Sequence, residues 1–144
     1  MKNNTIIQID HMYKRYPVGG GSFTALEDIT LDVKKGEFSG LVGPSGSGKT
    51  TMLNILGSLD NPTEGDAMVL DQSMAGIGLK KASQLRKEHL GFIFQTFNLL
   101  PVYTVFENVE FPLLLMKMSS SRRKKAVMDA LEWVGLTPKT DSKP

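Results

Sequence analysis

The 144-residue chain is predicted to be an α/β protein on three observations. Two compact apolar segments, Phe38 to Val42 and Leu90 to Phe94, read as strands of the kind buried on both faces of a parallel sheet. Stretches with helical spacing alternate with them. A glycine-rich turn, Gly43 to Gly48, joins the first of those strands to the first helix.

In chain order, Ile6 to Met12 reads as a strand, and Phe23 to Val33 as a second with largely alternating Leu26, Ile29, Leu31 and Val33. Gly19-Gly20-Gly21-Ser22 makes a hairpin-like connection between them. After the Lys34-Lys35-Gly36-Glu37 turn comes the apolar strand Phe38 to Val42, and after the glycine-rich turn an amphipathic helix over Lys49 to Leu59, with Met52, Leu53, Ile55, Leu56 and Leu59 on its apolar side. Asn61-Pro62-Thr63-Glu64-Gly65 stops that helix, and Ala67 to Leu70 is a short strand. Leu79 to Lys87 is a short polar helix ahead of the Leu90 to Phe94 strand, which ends at Gln95. Thr104 to Phe111 is helical again, and Ser119 to Val134 is a final helix with Val127, Ala130, Leu131 and Val134 facing inward.

Composition narrows the class. Seventeen Lys and Arg against fifteen Asp and Glu leave a net charge of +2, which argues against a histone-like or polybasic role and predicts no nucleic-acid partner. With 40% hydrophobic and 22% charged residues the chain is of ordinary globular make-up, one domain or most of one. The absence of Cys excludes disulfides, Cys-ligated metals and thiol nucleophiles. Met1-Lys2-Asn3-Asn4-Thr5 runs into the first strand without the apolar stretch that a secretory signal needs. The densest apolar run, Phe111 to Met116, falls far short of the roughly 20 residues that span a bilayer. The chain is therefore expected in the cytoplasm, without direct membrane insertion.

The turn carries the chemistry. Gly43-Pro44-Ser45-Gly46-Ser47-Gly48-Lys49-Thr50 satisfies the pattern Gly, any four residues, Gly-Lys, then Ser or Thr, and it follows a strand and opens a helix as the mechanism requires. Glycines at 43, 46 and 48 let the backbone curl with its N–H groups inward, and the helix adds unpaired N–H groups and the positive end of its dipole. Such a concavity suits a diphosphate. Lys49 is placed to reach β- and γ-phosphate oxygens, and the Thr50 hydroxyl to ligate Mg²⁺.

The string Gly43 to Asn54, with Asn61-Pro-Thr-Glu-Gly65, Gly91-Phe-Ile-Phe-Gln-Thr-Phe-Asn-Leu-Leu-Pro101 and Glu107-Asn-Val-Glu-Phe-Pro-Leu113, resembles an ABC-transporter ATPase of the MacB, LolD and FtsE type. That type serves macrolide or lipoprotein export and cell division. The resemblance covers nearly the whole chain and implies a P-loop NTPase fold, with ATP and Mg²⁺ as cofactors. It divides the chain into residues 1–37, mainly an antiparallel β subdomain; 38–95, the phosphate-loop core up to the Q-loop; and 96–144, the start of the helical subdomain. It implies nucleotide binding by Tyr16 and by Gly43, Pro44, Ser45, Gly46, Ser47, Gly48, Lys49, Thr50 and Thr51, with Thr50 and Gln95 toward the metal. Tyr16 matches the adenine-stacking aromatic by its spacing from Ala25-Leu26; Tyr13 competes for that role, and either ring could serve hairpin packing alone. Gln95 falls at the family's Q-loop glutamine, whose carboxamide oxygen meets Mg²⁺ and the attacking water; a polar strand end is the plainer reading. The stretch Thr96 to Lys117 would face the membrane permease through Phe97, Leu99, Leu100, Val102 and Tyr103, unless these are core.

Three further parts of the family's hydrolytic machinery do not occur in the 144 residues: the Leu-Ser-Gly-Gly-Gln signature, a Walker B strand ending Asp-Glu, and a switch histidine. The string Ala67 to Gln72 imitates Walker B, but it precedes Gln95, so Asp71 is read as a turn residue. His11 and His89 read as packing or surface residues, and Arg122 to Lys125 as a solvated helix face. No complete catalytic set results, although Lys49 and Gln95 contribute to one. The expectation is a chain, truncated before the signature, that binds nucleotide without hydrolysing it. The intact relative would form a homodimer and power lipoprotein, macrolide or peptide export through a transmembrane permease, peripheral at the cytoplasmic face of the inner or plasma membrane. Strands Phe38 to Val42 and Leu90 to Phe94 would lack neighbours and expose unpaired edges. A non-catalytic module competing for the permease or the full subunit is the alternative. A small phosphate-loop kinase or GTPase is disfavoured, since neither an Asn-Lys-x-Asp string nor an arginine-rich lid occurs.

Overall fold

Alternating apolar residues on either side of Gly19-Gly20 pair into a long antiparallel hairpin, β1 (Thr5–Val18) and β2 (Gly21–Lys34). The computed structural model describes residues 4–144, in two units, Met1–Gly91 and Phe92–Pro144. The polar lead-in Met1 to Asn3 lies outside the described residues.

The hairpin changes its inward parity halfway along. Ile7 and Ile9 face the core on β1, then Met12 and Lys14; on β2 Leu26 does, then Ile29 and Leu31. A side-chain period of two cannot give that sequence without an extra residue in each strand. His11 and Asp28 are those residues, both at positive φ, 42° and 49°, and the ladder shifts between Ile9 and Met12. His11 Nδ1 lies 2.6 Å from Asp28 Oδ1, and the His11 N–H donates to the Thr30 hydroxyl. The Asp28 carboxylate raises the His11 pKa above its ordinary value by hydrogen bond and charge.

β3 (Glu64–Val69) joins the free side of β1, and β4 (Gln72–Ser73) closes a four-stranded antiparallel sheet in the order β2-β1-β3-β4. Gly65 is what lets β3 approach the bulge: a Cβ there would stand 2.0 Å from the His11 carbonyl oxygen, and its φ is +67°. Between β3 and β4 the chain reverses through Leu70 and Asp71, both at positive φ, so Asp71 is a turn residue as its sequence position predicts.

One face of the sheet buries α1 (Lys49–Leu56) and α2 (Leu79–His89) through Met52, Ile55 and Leu85 against Ile9, Met12, Leu26, Ala67, Val69 and Met74. α1 is shorter than its apolar pattern predicts: Gly57 caps it and Ser58 turns left-handed, so Leu59 lies outside the helix and, with Leu53, remains exposed. Arg86 donates to the Ser58 carbonyl, and the Ser58 hydroxyl to the Ala82 carbonyl, which ties α2 to that turn.

In the second unit α3 (Val105–Leu114) begins with a capping box, Thr104 accepting from the Glu107 N–H while the Glu107 carboxylate accepts from the Thr104 N–H. Asn108 bonds the Leu100, Tyr103 and Thr104 carbonyls and the Leu100 N–H, fixing the loop ahead of the helix. α4 (Ser120–Trp133) packs beside α3 through buried Val127 and Leu131 and an Arg123–Glu110 bond of 2.6 Å. Val134, expected on that stripe, caps the helix and is exposed.

Neither segment expected as a parallel strand forms one. Phe38 and Val42 are fully exposed, as is Ile93, and none of the residues from 38 to 42 or 90 to 94 belongs to a sheet. Strand formation of this kind requires hydrogen-bonding neighbours, and among the described residues none lies alongside. No helix among the described residues is long and apolar enough to cross a membrane.

Candidate functional site

The loop between Val42 and α1 opens a helix as its sequence predicts, but no strand leads into it. Gly46 and Gly48 adopt φ of 81° and 86°, and α1 starts immediately at Lys49 with no side chain capping its first turn. Gly48 has a second reason to be glycine. A Cβ there would meet the Ala25 carbonyl oxygen at 2.6 Å and a Leu26 methyl at 2.8 Å, so the loop's last residue lies directly on β2. The first N–H groups of α1 have no intrahelical acceptors and leave a partial positive charge at its start.

The Lys49 ammonium is held across the loop by the Gly43 and Pro44 carbonyls at 2.9 and 2.7 Å, with the Ser47 hydroxyl at 3.3 Å. Residues 43–52 include no carboxylate, and their side chains offer the hydroxyls of Ser45, Ser47, Thr50 and Thr51 beside one cation. Hydroxyls and one held cation without an acidic side chain are donor chemistry of the kind that anionic oxygens take.

The two candidate aromatics separate cleanly. Tyr16, half-buried, donates to Asp60 Oδ2 at 2.9 Å, just past the end of α1, and the Thr51 hydroxyl lies beside its phenol. Burial raises its pKa, and the Asp60 carboxylate raises it further. Tyr13 instead lies under the Arg15 guanidinium, which pairs with Glu64 on β3. Tyr16 alone of the two reaches α1, because the His11 bulge turns even-numbered residues of β1 toward it.

Sequence reasoning missed Lys14 and Asp60. Lys14 is buried, its Nζ donating to Asp60 Oδ1 at 2.6 Å and to the Asn61 carbonyl at 2.7 Å, and it stands 4.9 Å from the centre of the Tyr16 ring. Burial of Asp60 opposes ionisation, yet the Lys14 ammonium, the Asn61 N–H and the Tyr16 hydroxyl together hold its carboxyl below the usual value. A lysine two residues before a tyrosine in a strand was the available signal, and only the bulge explains why it points inward.

Gln95 lies in the second unit, at an exposed bend rather than a strand end. Phe97, Leu99, Leu100 and Val102 are exposed around that stretch, and Tyr103 packs on Phe111 with ring centres 6.2 Å apart. Of the expected set, Tyr16 and residues 43–51 are thus gathered within the first unit.

Comparison with known proteins agrees with these features. Residues 26–144 match the family model described as ABC transporter. The chain is 36% identical over 139 residues to an uncharacterised ABC transporter ATP-binding protein of Thermotoga maritima, covering 96% of this chain and 59% of that protein. It is 39% identical over 142 residues to the lipoprotein-releasing system ATP-binding protein LolD of Legionella pneumophila, covering 99% and 63%. Its fold is similar to the ATP-binding cassette MJ0796 of Methanocaldococcus jannaschii, solved as a dimer in a post-hydrolysis state bound to ADP and Pi, with a TM-score of 0.86 and 37% identity over 96% of this chain and 61% of that one. The chain spans about 60% of the length of the curated relatives it matches. On its match to the family model, its fold and these likenesses taken together, the chain belongs to the ABC transporter family, as part of the ATP-binding domain.

Proposed function

We propose that these 144 residues are the ATP-binding portion of an ABC transporter ATPase that powers export, of lipoprotein, macrolide or peptide type, through a transmembrane permease. The observation that carries this reading is the loop Gly43 to Gly48, curled at the start of α1 with the Lys49 ammonium fixed across it. The backbone N–H groups there would hold the β- and γ-phosphate oxygens, and Lys49 would exchange its carbonyl partners for them. The Thr50 hydroxyl would be one ligand for Mg²⁺. Mg²⁺, when bound, neutralises charge on the phosphoryl oxygens. Tyr16 would lie under the adenine, and in the intact domain Gln95 would offer its carboxamide oxygen to the metal and the attacking water.

Phosphoryl transfer needs a positioned water and a complete metal shell, and the 144 residues contain no Walker B Asp-Glu, signature or switch histidine. The chain by itself therefore binds Mg-ATP and does not turn it over. In the complete protein a homodimer would enclose the nucleotide at the cytoplasmic face of the membrane, a reading supported by the dimeric MJ0796 structure. Calorimetric titration with Mg-ATP tests the reading: saturable binding that Lys49→Ala removes, without steady release of phosphate, is the expected result. Binding indifferent to Lys49→Ala, or turnover that depends on Lys49, contradicts it.

A further inference from the structure

We propose that Lys14 and Asp60 are positioning residues for the nucleobase: they clamp the Tyr16 ring from one side and fix it to the helix that begins at the phosphate loop. The proposal rests on the nucleotide reading of that loop. The Asp60 carboxylate bridges two donors, Lys14 Nζ at 2.6 Å on one oxygen and the Tyr16 hydroxyl at 2.9 Å on the other. Lys14 also donates to the Asn61 carbonyl and stands 4.9 Å from the Tyr16 ring centre, so the same ammonium holds both the carboxylate and the ring. Its side chain is 11% exposed, which rules out a loosely solvated pair.

Geometry gives this cluster a direction. Asp60 and Asn61 follow α1, whose first residues are Lys49, Thr50 and Thr51, and the Thr51 hydroxyl lies beside the Tyr16 phenol. A platform tethered to the residues that follow one short helix keeps a set distance from the loop at that helix's start. A base stacked on it then meets a ring that is already placed, and the ordering cost of binding falls. A cation over one face of a ring is itself attracted to its π-system, which fixes the ring's tilt without occupying the opposite face.

The test compares Mg-ATP with magnesium and inorganic tripolyphosphate, which lacks a base, by calorimetric titration of the 144-residue chain and its Tyr16→Phe, Lys14→Met and Lys14→Arg variants. Tyr16→Phe keeps the ring and removes only the tether, so it remains informative if Lys14→Met fails to fold. Stacking on Tyr16 predicts that the wild type prefers ATP by about tenfold or more. Tyr16→Phe and Lys14→Met should each lower ATP affinity by about threefold or more and leave tripolyphosphate affinity unchanged, with Lys14→Arg restoring most of the preference. Equal weakening of both ligands would make the cluster a structural staple and overturn the proposal. So would variants that bind both ligands as the wild type does. If the wild type binds both ligands equally, the phosphate-loop reading survives and this proposal falls; if it binds neither, both fall together.

Discussion

Strand β1 and the segment Phe38 to Val42 are comparably apolar, and the first is locked while the second is bare. Ile9 and Met12 on β1 are 1% and 0% exposed; Phe38 and Val42 are 101% and 98% exposed. β1 has a partner on each side, β2 and β3, which satisfy its backbone groups and bring Met52 and Ile55 of α1 onto its inner face. Phe38 to Val42 has the residues of a buried strand and no ladder. Apolar content therefore proposes a strand, and only hydrogen-bonded neighbours make one. The site divides along the same line, because Gly48 and Tyr16 are anchored by β1, β2 and α1 rather than by the segment that leads into the loop.

The largest expected effect strikes the locked side. Gly65→Ala would drive a methyl group to 2.0 Å from the His11 carbonyl and strain a φ of +67°, so urea unfolding should show a loss of about 4 kcal/mol or more, or no folded protein. A variant within 1 kcal/mol of the wild type would mean that the β1–β3 approach is looser than the bulge implies. Next, Asp60→Ala leaves the buried Lys14 ammonium without its carboxylate and should cost about 2–3 kcal/mol, below the range for fully buried pairs because Asp60 is 30% exposed. Adding Lys14→Met to that variant should recover part of the loss; no recovery would show that the ammonium was never stranded.

The pH dependence follows with its sign. The folded-state Asp60 pKa lies below the unfolded value near 3.8, so its contribution to stability is present above that pH and is lost as pH falls through the lower folded value. Asp60→Asn should flatten the decline of the urea midpoint below about pH 4 relative to wild type. An unchanged slope would place the acid sensitivity elsewhere. The smallest effect belongs to the bare side, where Phe38→Ser and Val42→Ser should change stability by less than about 0.5 kcal/mol. A larger loss would reveal that those side chains are covered in solution.

What could be read from residues alone had a local cause. The glycine-rich turn was legible because positive φ at 46 and 48 demands glycine, and the hairpin because the glycines at 19 to 21 lie between two strand-like segments. Asp71 was read as a turn residue because the string that holds it precedes Gln95, and Leu70-Asp71 does reverse the chain. The His11 and Asp28 bulges were not legible, since His and Asp tolerate a left-handed conformation but do not demand one in mid-strand. Without them the parity of β1 is wrong, and Lys14, Tyr16 and Asp60 cannot be brought to one place. The strands at Phe38 to Val42 and Leu90 to Phe94 failed for the opposite reason, because their apolar pattern is local while the neighbours it requires are not.

Whether residues 43–50 grip the terminal phosphates of a nucleotide, as proposed, is tested most directly by amide NMR of the isotope-labelled chain. Titration with Mg-ATP should move the backbone amide signals of Gly46, Gly48, Lys49 and Thr50 most, with Lys49→Ala suppressing the change while the β1 and β3 signals keep their native dispersion. Unmoved loop amides in a folded sample, or shifts confined to other parts of the chain, would contradict the account.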